Sequence, residues 1–436
     1  MKANPNKPTR VNMVTLGCSK NTYDSEQLMG QLEANNLLVV HEETAQADDT
    51  VIINTCGFID NAKEESINTI LEFVEAKKQG QVQNVVVMGC LSERFQNELK
   101  QEITGVDAWY GTGQLDKIVT DLGVNYKHEL LGERKLTTPS HYAYLKIAEG
   151  CDRPCSFCAI PIMRGKHVSK SIDQLVLEAK TLAKNGTTEL ILIAQDLTYY
   201  GLDLYKERAL HKLLDALSLV EGIKWIRLQY AYPSKFPMEI LPLIKERENI
   251  CLYLDMPLQH ISDNMLKAMR RGISKRRTIE LLNSIRKEVP GIAIRTTMLV
   301  GHPGETEEDF NELVEFIKEQ NFERLGVFTY SHEENTHSHT MIDDVPDEIK
   351  EERKSILMAV QRDISMDINA KMIGKELPVV IDRIEGDYFI GRTEFDSPEV
   401  DCEVLLKSDE RNLRIGNYYN AKIIDAMEYD LFAQVV

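Results

Sequence analysis

Short apolar runs alternate with amphipathic stretches along the first third of the chain. Three such runs, at 11–16, 51–54 and 85–88, have the length of buried strands. The stretch at 60–78 has the spacing of an amphipathic helix. Strands that alternate with helices favour a parallel sheet, because parallel neighbours need a crossover connection. The pattern therefore predicts an α/β domain over residues 1–130.

The segment 131–141 has no clear periodicity and predicts a linker. Beyond it, six β-rich runs alternate with amphipathic segments, which predicts a partial (βα)6 barrel, related to the (βα)8 barrel, over residues 142–374. Barrels of this kind carry their active sites at the carboxyl ends of the strands. After Gly374 the period changes to two, so residues 375–436 are predicted to form a small all-β barrel of five strands.

Composition and charge narrow the class of function. The chain has 436 residues, of which 43% are hydrophobic and 28% are charged, so it should fold into several domains. No apolar stretch approaches the roughly 20 residues that span a bilayer, and the first ten residues are polar, which predicts a cytoplasmic protein without a membrane partner. A net charge of -18 would repel a phosphate backbone, so nucleic acid is not the expected main target.

The cysteines carry the strongest chemical signal. Cys151, Cys155 and Cys158 form a C-x3-C-x2-C run directly after the first predicted barrel strand. Three thiolates on one loop can hold three irons of a [4Fe–4S] cluster and leave the fourth open to another ligand. A structural zinc site is the alternative, but it needs four protein ligands and usually a second paired hook, which this run lacks.

Cys18, Cys56 and Cys90 follow the three predicted strands of the first domain. Because the carboxyl ends of parallel strands meet at one edge of a sheet, we expect these thiols to lie close together and to hold a second cluster. A single free cysteine is usually a small buried apolar residue. That simpler interpretation applies to Cys251 and Cys402, which lie inside predicted strands without partners.

Together these features resemble the methylthiotransferase family of radical S-adenosylmethionine enzymes over nearly the whole chain. Members of that family combine an N-terminal cluster domain, a radical domain and a small barrel called TRAM, in this order. The matching stretches are 16–26, 54–57, 151–165, 255–260, 301–306 and 328–331. His302 departs from the family pattern, which usually has phenylalanine there, and Asn335 stands where glycine is common.

The resemblance implies two [4Fe–4S] clusters, each held by one set of three cysteines. It also implies two molecules of S-adenosylmethionine per turnover. One donates a methyl group to sulfur, and the other is cleaved by one electron to methionine and a 5′-deoxyadenosyl radical that removes hydrogen from an unactivated carbon. No catalytic residue beyond the cluster ligands is predicted.

The stretch 17–26 is most similar to family members that add a methylthio group to the β-carbon of an aspartate in ribosomal protein S12. The expected partners are therefore ribosomal protein S12, as substrate either free or within the small subunit, and an electron donor. Residues 375–436 contain 14 acidic and 7 basic residues. An acidic barrel suits a substrate rich in lysine and arginine better than it suits tRNA.

Polar residues near the predicted strand ends are candidates for contacts with S-adenosylmethionine. They are Gln195, Asp196, Arg295, Gly301, Gly304 and Glu305. We expect the glycines of the 301–305 turn to let the backbone approach the cofactor closely. For Arg295 and Asp196, a structural ion pair inside the barrel is an equal alternative. The basic segment 263–277 could contact an acidic ligand group, although most such runs are solvated surface.

Two other functions remain open from the sequence. A methylthiotransferase that modifies adenosines in tRNA would carry the same cysteines and differ in its substrate. A non-catalytic iron–sulfur scaffold or redox sensor would also hold clusters, but it would make no 5′-deoxyadenosine when reduced with S-adenosylmethionine.

Overall fold

The computed structural model describes residues 10–128, 130, 132–407 and 413–436. The chain forms two compact units. Unit 1 comprises the described residues of 1–138, 144–153 and 159–182, and unit 2 comprises those of 139–143, 154–158 and 183–436. The predicted boundaries of three domains remain a prediction. No helix in the described ranges combines the length and the apolar character needed to cross a membrane.

Unit 1 is built on a parallel sheet of five strands in the order β2-β1-β3-β4-β5. Its elements are β1 (Arg10–Thr15), α1 (Ser19–Glu33), β2 (Leu38–His41), β3 (Asp49–Thr55), α2 (Asp60–Lys78), β4 (Asn84–Gly89), α3 (Cys90–Glu102), β5 (Ala108–Trp109) and α4 (Leu115–Asp121). Alternate residues of β3 pack on opposite faces: Ile52 packs with α1 and α4, whereas Val51 and Ile53 pack with α2 and α3. Because helices cover both faces, β3 is buried along its whole length.

The predicted parallel α/β sheet is confirmed by these elements. The edge strands β2 and β5 were not predicted. They contain four and two residues, which is too short for a hydrophobic period to be recognised.

The chain after the first sheet supplies further short elements. They are β6 (Tyr142–Lys146), β7 (Ala148–Glu149), α5 (Ile160–Arg164), β8 (Val168–Ser169) and α6 (Ile172–Lys184). β7 and β8 pair as an antiparallel ribbon within unit 1. α5 is a single helical turn with a proline near its start, and Gly165 follows its last residue.

The larger sheet has six strands in the order β13-β12-β11-β10-β9-β6, and β9 to β13 pair in parallel within unit 2. Its remaining elements are β9 (Glu189–Ile193), α7 (Leu210–Ser218), β10 (Trp225–Leu228), α8 (Ile240–Glu246), β11 (Ile250–Asp255), α9 (Asp263–Ala268), α10 (Lys275–Glu288), β12 (Ala293–Val300), α11 (Glu307–Gln320), β13 (Arg324–Thr329) and α12 (Asp347–Ala370). The six-stranded partial barrel is confirmed, and the long helix α12 follows its last strand.

A closed barrel of five strands ends the chain, in the order β14-β15-β16-β18-β17. The strands are β14 (Glu376–Glu385), β15 (Tyr388–Arg392), β16 (Glu403–Lys407), β17 (Tyr418–Ala426) and β18 (Asp430–Val435). Inward residues such as Val379, Ile381 and Ile423 form its core. The predicted all-β barrel is therefore confirmed.

Buried ion pairs join this barrel to the larger sheet inside unit 2. Glu189, the first residue of β9, accepts hydrogen bonds from Arg227 Nε at 2.8 Å and from Arg392 Nη2 at 2.8 Å. Arg392 also donates from Nε to Asp382 at 2.6 Å. Burial alone would raise the pKa of Glu189, but the two guanidinium groups outweigh it and hold the pKa below its ordinary value.

The loop between β15 and β16 adds further pairs to the same interface. Asp396 accepts from Arg324 Nη2 at 2.6 Å, and Asp401 accepts from Arg295 Nε at 3.2 Å and from the Tyr253 hydroxyl at 2.7 Å. Each of these carboxylates is almost completely buried and would be costly without its partner.

We predict that Glu189→Gln destabilises unit 2 by about 3–5 kcal/mol, because it leaves buried guanidinium charge without its carboxylate. The difference from wild type should shrink at acid pH. A carboxylate with a lowered pKa stabilises the fold above its unfolded pKa and loses that effect as the pH falls through the folded value. Urea denaturation followed by the fluorescence of Trp225 in a Trp109→Phe background measures this change.

The matched control is Glu207→Gln, which removes an exposed partner of Lys212 and should leave the denaturation midpoint unchanged. Equal midpoints for Glu189→Gln and wild type at pH 7 would contradict the prediction.

Candidate iron–sulfur sites

The three cysteines of unit 1 lie at the carboxyl ends of three neighbouring strands. Cys18 directly precedes α1 and is the third residue after β1, Cys56 directly follows β3, and Cys90 is the first residue of α3 after β4. β1 pairs with β3, and β3 pairs with β4. The structure therefore brings together the three strand ends that carry these thiols, as the sequence predicted.

Glycines make this close approach possible. Gly17 and Gly89 have φ values of 97° and 102°, in the left-handed region that other residues rarely adopt. A Cβ at Gly89 would lie 2.4 Å from Asn54 Oδ1, and one at Gly17 would lie 2.8 Å from the Cβ of Cys56. A side chain at either position would therefore collide with the segment 54–56, which carries Cys56.

The thiols interact electrostatically. The pKa of Cys90 is raised to about 12, mainly by burial, and the charges of Cys18 and Cys56 contribute to this rise. Burial also raises the pKa of Cys56, to which the charge of Cys18 contributes. Arg164 acts in the opposite direction and lowers the pKa of Cys90.

Arg164 and Asn21 are polar groups at this site that sequence reasoning did not assign. Arg164 donates from Nη2 to Asn21 Oδ1 at 2.5 Å and from Nη1 to Asp24 at 2.8 Å. Asn21 in turn donates from Nδ2 to the carbonyl oxygen of Leu16 at 2.7 Å. Both residues belong to stretches that match the family, and that was the only signal in the sequence.

This set of donors fits an iron–sulfur cluster. All eight cysteines of the chain are in the described ranges and none forms a disulfide. In those ranges, no three Cys, His, Asp or Glu side chains converge tightly enough to hold a single metal ion. A cluster binds its thiolates at separate irons, so its ligands need not converge on one point. A buried guanidinium close to the thiols favours their ionised form.

The second set of cysteines lies within eight consecutive residues. In unit 1, the backbone N–H of Cys151 donates to the carbonyl oxygen of Gly165 at 3.1 Å. In unit 2, the N–H of Cys158 donates to the carbonyl oxygen of Cys155 at 3.3 Å. This hydrogen bond closes a turn that carries the thiols of Cys155 and Cys158.

Arg271 and Tyr232 contact Cys155 directly. Arg271 Nη1 lies 3.3 Å from the sulfur of Cys155, and the Tyr232 hydroxyl lies 3.5 Å from it. The guanidinium also stacks on the Tyr232 ring, with its carbon 4.3 Å from the ring centroid. Arg271 belongs to the basic segment 263–277, whose residues were expected mostly at the solvated surface, but it is only 4% exposed.

Two candidates for S-adenosylmethionine contacts follow β9. Gln195 and Asp196 come directly after Ala194 at the carboxyl end of that strand, as expected. Asp196 Oδ1 accepts from the N–H of Thr198 at 2.8 Å and from its hydroxyl at 2.7 Å. Asp196 therefore caps a single turn of 3-10 helix at Leu197–Tyr199.

Arg295 lies inside a strand rather than after its carboxyl end. It is the third residue of β12, five residues before the strand ends at Val300. Its guanidinium pairs with Asp255 at 3.2 Å and with Asp401 of the C-terminal barrel at 3.2 Å. The sequence could not show this, because the contact depends on where the barrel packs against the sheet.

The turn at 301–305 follows β12 and is closed by Glu305. One Glu305 oxygen accepts from the N–H of Gly301 at 2.6 Å and from Arg353 Nη1 at 2.6 Å, and the other lies 3.1 Å from His260 Nε2. A Cβ at Gly301 would lie 2.2 Å from a side-chain carbon of Lys350, so that space is filled by the protein itself. At Gly304, by contrast, the described residues leave the space within 4 Å of a Cβ open.

Comparison with known proteins gives the same domain order. Residues 10–111 match a family described as uncharacterized protein family UPF0004, residues 145–317 match the radical SAM superfamily, and residues 373–436 match the TRAM domain. A protein of Cytophaga hutchinsonii named ribosomal protein uS12 methylthiotransferase RimO is 59% identical over 436 residues, which cover 100% of both chains. The chain belongs to the RimO family.

Other RimO proteins match almost as fully. Relatives of that name from Christiangramia forsetii and Bacteroides fragilis are 59% and 52% identical, and the matches cover 100% and 99% of this chain and 96% and 100% of theirs. RimO is a branch of the radical SAM superfamily, whose enzymes use an iron–sulfur cluster and S-adenosylmethionine.

Solved structures share the fold at low sequence identity. The radical S-adenosylmethionine methyltransferase TsrM from Kitasatospora setae has a TM-score of 0.55 and 15% identity, covering 73% of this chain and 72% of its own. The cobalamin-dependent radical enzyme OxsB has a TM-score of 0.51 and 12% identity, covering 81% of this chain and 56% of its own. These likenesses establish the fold of this RimO relative and nothing about its substrate.

We predict that iodoacetamide labels Cys18 much faster than Cys90 in cluster-free protein at pH 8. Cys18 is exposed, whereas a thiol with a pKa of about 12 is ionised in only about one molecule in 10,000 at that pH. Labelling of Cys90 should accelerate about tenfold for each unit of pH. Mass spectrometry of the cysteine peptides measures both rates.

Cys251 and Cys402 serve as controls, because burial raises the pKa of each to about 12 and both should stay unlabelled. Equal labelling rates for Cys18 and Cys90 would show that the three thiols do not occupy the environments described.

Proposed function

We propose that this chain is a radical S-adenosylmethionine methylthiotransferase that adds a methylthio group to the β-carbon of an aspartate in ribosomal protein S12. The observation that carries the proposal is full-length identity of 52–59% to relatives whose name states this substrate, in a chain that has both three-cysteine sets. The substrate places the enzyme in the cytoplasm, on free S12 or on the small subunit, with an electron donor as a further partner.

The proposal includes two [4Fe–4S] clusters. Cys18, Cys56 and Cys90 would hold one, and the set within 151–158 would hold the other. When bound, a cluster with three thiolate ligands keeps one iron open, which supplies the chemistry of S-adenosylmethionine cleavage at one site and of sulfur handling at the other.

The chain's own residues orient these ligands and neutralise their charge. Arg271 is held over Tyr232 and donates to the sulfur of Cys155, so one thiolate keeps a fixed hydrogen-bond donor. Arg164 supplies a positive charge to the thiols of Cys90 and Cys18. Both guanidinium groups are buried, which strengthens their electrostatic effect.

Among the residues first considered for S-adenosylmethionine, Gln195 and Gly304 are the ones that we retain as contacts. They lie beyond the carboxyl ends of β9 and β12, where ligands of such barrels bind. Asp196, Gly301 and Glu305 contribute by closing the adjacent turns. Arg295 is not part of this proposal.

The surface charge of the C-terminal barrel supports the choice of S12 as substrate less strongly than the composition of the barrel suggested. In the described part of 375–436, five acidic and five basic residues are exposed. Several remaining acids, such as Asp396 and Asp401, pair with arginines of the larger sheet. The choice of S12 over tRNA therefore rests on the relatives rather than on barrel charge.

We predict that changing Cys151, Cys155 and Cys158 together to alanine abolishes 5′-deoxyadenosine formation and halves the bound iron, from about eight to about four per chain. The loss follows because this trio would hold the cluster that cleaves S-adenosylmethionine. Iron analysis and chromatography after anaerobic reconstitution and reduction give both quantities.

The other trio, Cys18, Cys56 and Cys90 changed to alanine, should also halve the iron but keep 5′-deoxyadenosine formation. The matched control changes the two buried cysteines that are not ligands, Cys251 and Cys402, and should keep all the iron. Full iron loading in either trio variant would refute the two-cluster proposal, and wild-type protein without 5′-deoxyadenosine would favour a scaffold.

We predict that cells lacking the gene lose the methylthio mark on ribosomal protein S12 and keep the methylthio marks on tRNA. Mass spectrometry of S12 and of digested tRNA from the same cells measures both. Wild-type chain should restore the mark, whereas Cys151→Ala should not. Loss of a tRNA mark with S12 unchanged would establish the tRNA alternative instead.

A further inference from the structure

Ser156 lies between Cys155 and Cys158 and is completely buried. All three of its polar groups have partners within unit 2. Its N–H donates to the carbonyl oxygen of Met269 at 3.1 Å, and its carbonyl oxygen accepts from the N–H of Ser338 at 2.8 Å. Its hydroxyl lies 3.0 Å from Nε2 of His302. The segment between two cluster cysteines is thus fixed by three separate parts of the chain.

The hydrogen bonds of His302 define its protonation. Nδ1 lies 3.0 Å from the carbonyl oxygen of Pro303, and a carbonyl can only accept, so Nδ1 carries the proton. Nε2 therefore accepts, and the Ser156 hydroxyl donates to it. Burial lowers the pKa of His302, which is consistent with a neutral ring.

The His302 ring has little freedom to move. It is completely buried and packs edge-on against Tyr330, with ring centroids 5.3 Å apart, and against Phe157 at 6.5 Å. Phe157 is itself the residue after Ser156. In such a dry environment a hydrogen bond has no competition from water, and a hydroxyl without its partner is costly.

We propose that His302 is a positioning residue that holds the cysteine segment 155–158 against the turn at 301–305 through its hydrogen bond to Ser156. The proposal rests on the proposed function, in which Cys155 and Cys158 hold the cluster that binds S-adenosylmethionine. It couples the position of two cluster ligands to the turn that contains Gly304.

The family usually has phenylalanine at the position of His302, and of the two only histidine can make the hydrogen bond to Ser156. Phenylalanine, the usual residue there, could keep the edge-on packing with Tyr330 and Phe157, but it has no acceptor for the Ser156 hydroxyl. The hydrogen bond between Ser156 and His302 can therefore be tested independently of the aromatic packing around the ring.

The experiment compares reconstituted holoenzymes of wild type, His302→Phe, Ser156→Ala and the double variant. The reduced cluster is followed by its electron paramagnetic resonance with and without S-adenosylmethionine, and its loss is timed under an iron chelator. Because both clusters are proposed to keep an open iron, each variant is also measured with Cys18, Cys56 and Cys90 changed to alanine, so that the remaining signal reports the cluster of the 151–158 set. We expect each single variant to lose the responsive signal about fivefold faster, as for one lost hydrogen bond.

Three comparisons separate positioning from general destabilisation. His302→Gln can place an amide oxygen near the position of Nε2 and should restore the wild-type rate. The double variant should lose the signal no faster than either single variant, because both act through one bond. His128→Phe, at an exposed histidine of unit 1, should match wild type.

Wild-type rates of signal loss in both His302→Phe and Ser156→Ala would overturn the proposal. So would additive effects in the double variant, or a His302→Gln variant as labile as His302→Phe. If His302→Phe fails to fold, Ser156→Ala still removes the same bond. A wild-type enzyme without any S-adenosylmethionine-responsive signal would instead refute the proposed function.

Discussion

Backbone hydrogen bonds between β1, β3 and β4 set the geometry on which the N-terminal site depends. Their parallel register aligns three strand ends at one edge of the sheet, and the three cysteines follow those ends. Left-handed glycines then let the segments approach more closely than side chains would permit. The residues proposed to hold a cluster are thus brought together by the sheet, and Arg164 donates a hydrogen bond to Asn21 beside them.

Periodicity predicted the long elements because each contributes a face to a core. It identified the main strands of both parallel sheets and of the C-terminal barrel, and it missed β2 and β5, which are short edge strands. The cysteine spacing predicted the candidate ligands for the same reason, since strand ends are visible in the pattern. Arg271 could not be distinguished from its solvated neighbours, because nothing in a basic run tells which member turns inward.

The sequence was also uninformative where distant segments meet. Arg295 was considered as a contact of S-adenosylmethionine or as an ion-pair partner of Asp196, but it pairs with Asp401, more than a hundred residues away in the C-terminal barrel. The same contact explains why the acidic composition of the barrel overstated its acidic surface. Composition counts every carboxylate equally, whereas the fold uses Asp396 and Asp401 to neutralise buried arginines.

The buried arginines beneath the larger sheet also make this sheet depend on the C-terminal barrel. Arg227, Arg295 and Arg324 depend on groups of the C-terminal barrel for their hydrogen bonds. A chain truncated before Lys375 would leave these guanidinium groups without those partners. The larger sheet would therefore be destabilised by loss of the barrel. Exchanging the barrel between related enzymes would likewise preserve this interface only if the matching charged residues beneath the sheet were exchanged with it.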